Sequence, residues 1–244
     1  MPGTMADVPS SALAIYAHPD DPDVSCGGTL ASWAAAGSEI HVCICTDGDK
    51  GSADPAADLA DLVARRRRET GAAGEVLGVA AHHWLGYPDG EVDETSSDPC
   101  GLRARLVALI RTVRPEVVIG ADPTAVFFGQ HYVNHRDHRA VGWATLDAVA
   151  PAAANSHYFP AGGPAHAVRS LLLSGTLEAD CWVDITPTVE LKARAVGCHV
   201  TQIGSLQFGS AADWPQGVVR HRAEEAGRRA GVPYAEEYRR INLR

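Results

Sequence analysis

Apolar positions along the chain fall into two periods, and the periods alternate. Short apolar or β-branched runs predict strands at Ser11–Ala17, Glu39–Thr46, His82–Leu85, Glu116–Gly120, His166–Ser174 and Cys181–Ile185. Spacings of three and four predict helices over Gly27–Ala36, Ala56–Leu77, Leu102–Val113, Arg136–Val149, Glu190–His199 and Val218–Ala230. Gly78 reads as a helix stop, Pro115 halts the helix before it, and the Gly27-Gly28 pair reads as a helix start. Residues 1–10, polar with Pro and Gly, read as a flexible N-terminal tail, and 11–244 as a single domain without internal repeats. Pro151–Pro164 is an irregular excursion rich in Pro, Gly and Ala. Strands that alternate with helices predict an α/β fold, a Rossmann-like, doubly wound, mostly parallel sheet covered on both faces.

Such sheets bind ligands beyond the C-terminal ends of their strands. The segments expected there are His18-Pro19-Asp20-Asp21, Thr46-Asp47-Gly48-Asp49, Tyr87-Pro88-Asp89-Gly90 and Ala121-Asp122-Pro123. Each carries an acid. Neither a G-x-G-x-x-G after the first strand nor a G-x-x-x-x-G-K occurs, which argues against a nucleotide cofactor.

Composition narrows the partners. Lys+Arg 21 against Asp+Glu 30 gives a net charge of −9, a poor match for nucleic acid or an anionic membrane. The one dense basic run, Arg65–Arg68, reads as a solvated helix face, with anion binding as the alternative. No apolar stretch approaches the roughly 18 residues of a membrane span, and no charged-then-apolar leader opens the sequence, so the cytoplasm is the expected location. Cys26, Cys43, Cys45, Cys100, Cys181 and Cys198 are scattered and suggest no disulfide framework; Cys43 and Cys45 read as buried strand thiols. Eleven histidines stand against two methionines, which directs attention to histidine clusters.

Two clusters carry chemistry. In the loop after the first strand, a tight turn can aim His18 and Asp21 at one point, supplying two of the three protein ligands of a catalytic zinc site. Asp20 between them then stands where a carboxylate takes a proton from water; alone, the same four residues also read as a helix N-cap. His135-Arg136-Asp137-His138 opens a helix, so its histidines share a face. One is placed to be the third ligand and the other to face the substrate. Three mixed N and O ligands leave a position open for catalysis.

With these residues in view, the sequence resembles the PIG-L/LmbE family of zinc-dependent N-deacetylases. The resemblance rests on Ala17-His18-Pro19-Asp20-Asp21, Cys26-Gly27-Gly28-Thr29-Leu30 and His135-x-Asp137-His138. Lesser signatures are Thr46-Asp47-Gly48, Arg66-x-x-Glu69 with Leu77-Gly78, Leu85–Gly90 and His199-x-Thr201-Gln202; together they span roughly residues 11–205. The resemblance implies His18, Asp21 and His138 as zinc ligands and Asp20 as general base, later the acid toward the leaving amine. It implies a cationic His135 as oxyanion stabiliser and Asp137 as its orienting carboxylate. Two positions depart from the pattern. Asp23 stands where a glutamate is usual, and Val133 where some relatives carry a tyrosine, so neither Tyr132 nor Asn134 beside it inherits that role.

The resemblance also implies that Arg66 contacts a substrate hydroxyl or phosphate, against an alternative surface ion pair with Glu69. Asp89 reads as a sugar-hydroxyl ligand or as an ordinary turn residue. His199 reads as a pocket residue or a helix-surface histidine; His82, His83, His131 and His157 read as structural. The aromatic segment Ala125–Val133 reads as a gating loop or a subunit contact, the latter compatible with a homo-oligomer. The expected activity is zinc-dependent removal of an N-acetyl group from an N-acetylglucosamine-type sugar or conjugate. The alternatives are an amidase acting on a larger acyl or cysteinyl amide, as in mycothiol-conjugate amidases, and a noncatalytic metal- or ligand-binding protein.

Overall fold

A computed structural model of the chain describes residues 3–95, 98, 101–203 and 214–243. Its elements, in order, are β1 (Gly3–Thr4), β2 (Ser11–Tyr16), α1 (Asp21–Ala35), β3 (Glu39–Thr46), α2 (Leu59–Leu77), β4 (Ala81–Tyr87), α3 (Leu102–Val113) and β5 (Val117–Ala121). A short hairpin of β6 (Phe127–Phe128) and β7 (Tyr132–Val133) leads into α4 (Arg136–Asp147). Then come β8 (Ser170–Ser174), β9 (Cys181–Asp184), α5 (Val189–Gly197), α6 (Val200–Ile203), α7 (Trp214–Ala230) and β10 (Ala235–Asn242).

One eight-stranded sheet has the order β1-β9-β10-β8-β5-β2-β3-β4. Every pairing in it is parallel except the two made by β10, which runs against both β8 and β9. Strand order reverses at β2: the chain proceeds to β3 and β4 on one side, then returns to β5 on the other. The loops after β2 and β5 therefore diverge, opening the crevice that this topology uses for ligands.

The pleat sorts the core. Ala12, Ala14 and Tyr16 of β2 face one side with Ile40, Val42 and Ile44 of β3, under α1, α5 and α7. Leu13 and Ile15 face the other with Cys43 and Cys45, under α3 and α4. Both faces are buried, as an internal parallel strand requires. Cys43 and Cys45 are thus buried thiols on one face, and Cys26, Cys181 and Cys198 are also free; Cys100 lies outside the described residues.

Several boundaries differ from expectation for definable reasons. The helix expected to begin at Gly27 begins at Asp21, because Pro22 sits in the first turn, where its fixed φ and missing N–H are tolerated. The Gly27-Gly28 pair is instead a packing device. A Cβ on Gly28 would lie 2.7 Å from Ile185 Cδ1, so glycine lets α1 press against the end of β9. The expected N-terminal tail is ordered from Gly3: Gly3–Thr4 pairs with Cys181–Trp182, and Met5 is buried. Residues 1–2 lie outside the described residues. The helix expected to reach Val149 ends at Asp147 and continues as a π turn over Ala148–Ala152.

The largest omission is β10. Ala235–Asn242 (AEEYRRIN) contains four charged residues, yet it is an interior strand with Glu236 and Tyr238 buried. Glu236 accepts hydrogen bonds from the backbone N–H groups of Gly28 and Thr29 and from Tyr238 Oη, and pairs with buried Lys192. A strand that carries its own paired charge inward has no hydrophobic signature.

Candidate active site

The loop after β2 closes on itself. His18 N–H donates to Asp21 Oδ2 at 2.7 Å and Asp21 N–H donates to His18 O at 3.2 Å, fixing the imidazole and carboxylate side by side. From across the crevice α4 brings His138, whose Nε2 lies 3.1 Å from Asp21 Oδ1 and 3.1 Å from His18 Nδ1. His138 Nδ1 faces Asn134 Oδ1 at 3.0 Å, and His18 Nε2 faces Asp89 Oδ1 at 3.2 Å and Asp137 Oδ2 at 3.6 Å. Each imidazole thus has an acceptor for the proton on its outer nitrogen, leaving two inner nitrogens to point at each other beside a carboxylate.

That arrangement fits a divalent cation. Outer acceptors on metal-binding imidazoles set the tautomer that presents a lone pair inward. The electrostatics agree. Burial opposes charge on His18 and His138, yet Asp21 beside both, with Asp89 and Asp137 at His18, raises each above its ordinary value. Burial alone would raise the Asp21 carboxyl, but His138 and His18 hold it well below the usual carboxylate range. The fold therefore favours positive charge at this point. A second group, His18 with Asp89, His135 and Asp137, also has its donor atoms within 4.8 Å of one another. It requires His18 Nε2 as ligand, the nitrogen that Asp89 and Asp137 flank as acceptors, so the set of His18, Asp21 and His138 is the better supported.

His135 caps α4 and is exposed, its ring 4.8 Å from that of His18. Its Nδ1 accepts the Asp137 N–H at 3.2 Å, which places the proton of the neutral ring on Nε2. Burial, then His18 and His138, push its pKa below the ordinary value, against the pull of Asp137 and Asp89. Asp137 bonds His135 through its backbone N–H; its buried carboxylate accepts the Gly90 N–H at 2.6 Å, faces His18 and acts on His135 through its charge.

Asp20 precedes α1 and makes no side-chain cap bond. Its Oδ1 accepts from Arg66 Nη2 at 2.8 Å. Arg66 is 2% exposed and is neither on a solvated face nor paired with Glu69. Glu69 instead accepts from the N–H and hydroxyl of Thr201. Asp89 is a buried turn residue held by Asp49, and it faces the site through His18. His199 is neither in the cleft nor on a helix surface: it is 1% exposed and meets Asp23 Oδ2 at 2.6 Å. Asp23, with the shorter side chain, still ties this loop down.

Sequence reasoning missed Asn134, whose one available signal was its place four residues before His138, and Tyr16, buried at the end of β2 with its hydroxyl 2.7 Å from Ser174 Oγ. A cleft of about 750 Å³ opens beside Asp21 and His138, walled by Phe128, Tyr132 and Leu177 and reaching Arg222 on α7.

A cation-ready donor set with a carboxylate beside it, at an open sheet rim, defines a metal-dependent hydrolase site. Residues 13–149 match the PIG-L family, described as GlcNAc-PI de-N-acetylase, and the chain belongs to that family. It is 32% identical over 193 residues to the diacetylchitobiose deacetylase of Thermococcus kodakarensis, covering 78% of this chain and 69% of that protein. It is 35% identical over 250 residues to the 1D-myo-inositol 2-acetamido-2-deoxy-alpha-D-glucopyranoside deacetylase of Rhodococcus erythropolis, covering 81% and 83%. The solved N,N'-diacetylchitobiose deacetylase of Pyrococcus horikoshii, in complex with its inhibitor MPG, superposes with a TM-score of 0.83 at 27% identity, covering 97% of this chain and 88% of the other. The protein is an amide hydrolase of the deacetylase type. Among the described residues no helix is long and apolar enough to cross a membrane.

Proposed function

We propose that this protein removes the N-acetyl group from an N-acetylglucosamine-type sugar or sugar conjugate, with zinc held by His18, Asp21 and His138. Support for the substrate class comes from the relatives, whose names specify acetylated amino sugars. The observation that carries the chemistry is the pair of inner imidazole nitrogens facing each other at 3.1 Å beside Asp21, with Asp20 next in the chain. When bound, zinc supplies Lewis acidity, polarising a carbonyl and easing the deprotonation of water near neutral pH.

The protein groups do the rest. Asp20 takes the proton of the attacking water on Oδ2, the oxygen that Arg66 does not engage, and returns it to the departing amine nitrogen. His135 donates its Nε2–H to the carbonyl oxygen as negative charge builds there, a contact that strengthens only in the transition state. Asp137 holds Gly90 and His18 in register. Asp89 retains Oδ2 for a sugar hydroxyl while Oδ1 faces His18. The cleft beyond His138 gives the remainder of the substrate room, its aromatic walls suited to sugar faces.

The same cleft volume favours one second reading, cleavage of a larger acyl amide. The test is primary-amine release from a panel of N-acetylated and longer-chain N-acylated amino sugars by zinc-loaded protein. Release from the acetylated members, abolished by chelation and by Asp20→Asn, is the expected result. Release only from the longer acyl members would favour the second reading, and release insensitive to Asp20→Asn would overturn the mechanism.

A further inference from the structure

We infer that His41 and His83 form a metal site of their own, for a divalent ion that favours imidazole nitrogen, such as Cu²⁺ or Ni²⁺. The site shares no residue with the catalytic loops. Its two histidines are 42 positions apart, so no ligand spacing marks them in the sequence. The sheet brings them together. β3 and β4 run parallel with Cys43 beside His83 and His41 beside Ala81, so the two histidines are diagonal neighbours on one face. That face also carries Cys43, Leu85 and Tyr87. His41 Nδ1 lies 3.0 Å from His83 Nε2, and the two rings are within 18° of parallel.

A carboxylate stands behind the pair. His41 Nε2 faces Glu39 Oε1 at 3.1 Å, which keeps the ring proton on that outer nitrogen and leaves a lone pair on Nδ1. An outer acceptor of this kind orients metal-binding imidazoles, as Asn134 does for His138. The His41 side chain is 15% exposed, so the pair is sheltered without being sealed. Burial, then His41 and His82, push the His83 pKa below its ordinary value, which keeps that ring neutral and able to bind.

Alone, the pair shares one proton carried on His83 Nε2. With that proton on Nδ1 instead, both inner nitrogens offer lone pairs. Two nitrogens 3.0 Å apart, each about 2.0 Å from one ion, subtend about 97° there, near the right angle between neighbouring positions of a tetragonal centre. The ion stands off the line joining the rings, so both rings turn to admit it. His83 has room to turn, since it lies on β4, the outer strand, whose far edge pairs with nothing among the described residues. Thr46, where the catalytic rim begins, lies roughly 16 Å further along β3 at about 3.3 Å per residue. An ion at His41 therefore touches no catalytic group, and it ties the outer strand to β3.

The experiment is titration of the zinc-loaded protein with Cu²⁺. Bound copper and zinc are counted after ultrafiltration, and the copper is read by electron paramagnetic resonance. Expected is one copper per chain in addition to the zinc, with hyperfine splitting from two nitrogens. His41→Ala and His83→Asn are expected to lose that ion while zinc content and amine release stay unchanged. Glu39→Gln keeps both ligands and is expected to weaken copper by about 10-fold. Its side chain is 66% exposed, which keeps the test valid if a histidine variant does not fold. His157→Ala, at an exposed histidine elsewhere, is expected to bind copper as the parent does. Copper that enters only as zinc leaves, or that binds His41→Ala as tightly as the parent, would overturn the inference. So would the absence of any copper beyond the zinc site.

Discussion

The loop after β2 and the strand β10 contribute to the same molecule in opposite ways. In the loop, His18 and Asp21 are three residues apart and bond each other, so their geometry is written locally. In β10, Glu236 reaches Gly28 across 208 positions and Lys192 across 44. The loop carries chemistry with little buried apolar area; β10 buries Ala235, Glu236 and Tyr238, and through Glu236 it holds α1 and α5 to the sheet. The motif that starts the site is encoded locally, while the bonds that hold β10 in place are encoded at long range.

That contrast can be broken by experiment. The largest effect is expected for Asp20→Asn, a loss of roughly 10²–10⁴ in turnover with unfolding temperature and zinc content unchanged, read by amine release and calorimetry. Parallel loss of stability would show that the loop is also a structural element. Glu236→Gln leaves Lys192 unpaired in the core and is expected to destabilise by about 3–5 kcal/mol in denaturant titration, while the folded fraction keeps its kcat. A kcat collapse in fully folded Glu236→Gln would erase the division of labour.

Asn134→Ala removes the acceptor behind His138 and is expected to weaken zinc by about 10- to 100-fold in competition with a chelating dye, without altering the fold. An unchanged affinity would mean that another group sets the His138 tautomer. The smallest effect is Gly28→Ala, where the new Cβ collides with Ile185 and is expected to cost about 1–3 kcal/mol, with turnover intact. No stability change would mean that α1 and β9 part easily.

Legibility followed the same division. Glu39–Thr46 and Leu102–Val113 were readable to the residue because alternation, helical spacing and Pro115 all act over a few positions. The donor set was readable because His18 and Asp21 share a turn and His135–His138 a helix start. What escaped depends on the far side of each interaction. Asp20 and Arg66 are 46 positions apart, and a run of four arginines gives no sign of which one turns inward. His199 read as a pocket or a helix-surface histidine because Asp23, its buried partner, lies 176 positions away. Gly27-Gly28 carries the composition of a helix start, and only Ile185 shows that Gly28 marks the contact of α1 with the end of β9.

The antiparallel placement of β10 has a consequence for how the molecule comes into being. β9, and β1 beyond it, join the sheet only through β10. On a ribosome, His18, Asp20, Asp21, His135 and His138 emerge well before residues 235–242, while the edge of β8 waits uncovered. Until then β8, three leucines between two serines, is an open template for a foreign strand. The nascent chain therefore passes through an interval in which its catalytic loops are complete but its sheet is not, and exposure to mispairing is greatest in that interval.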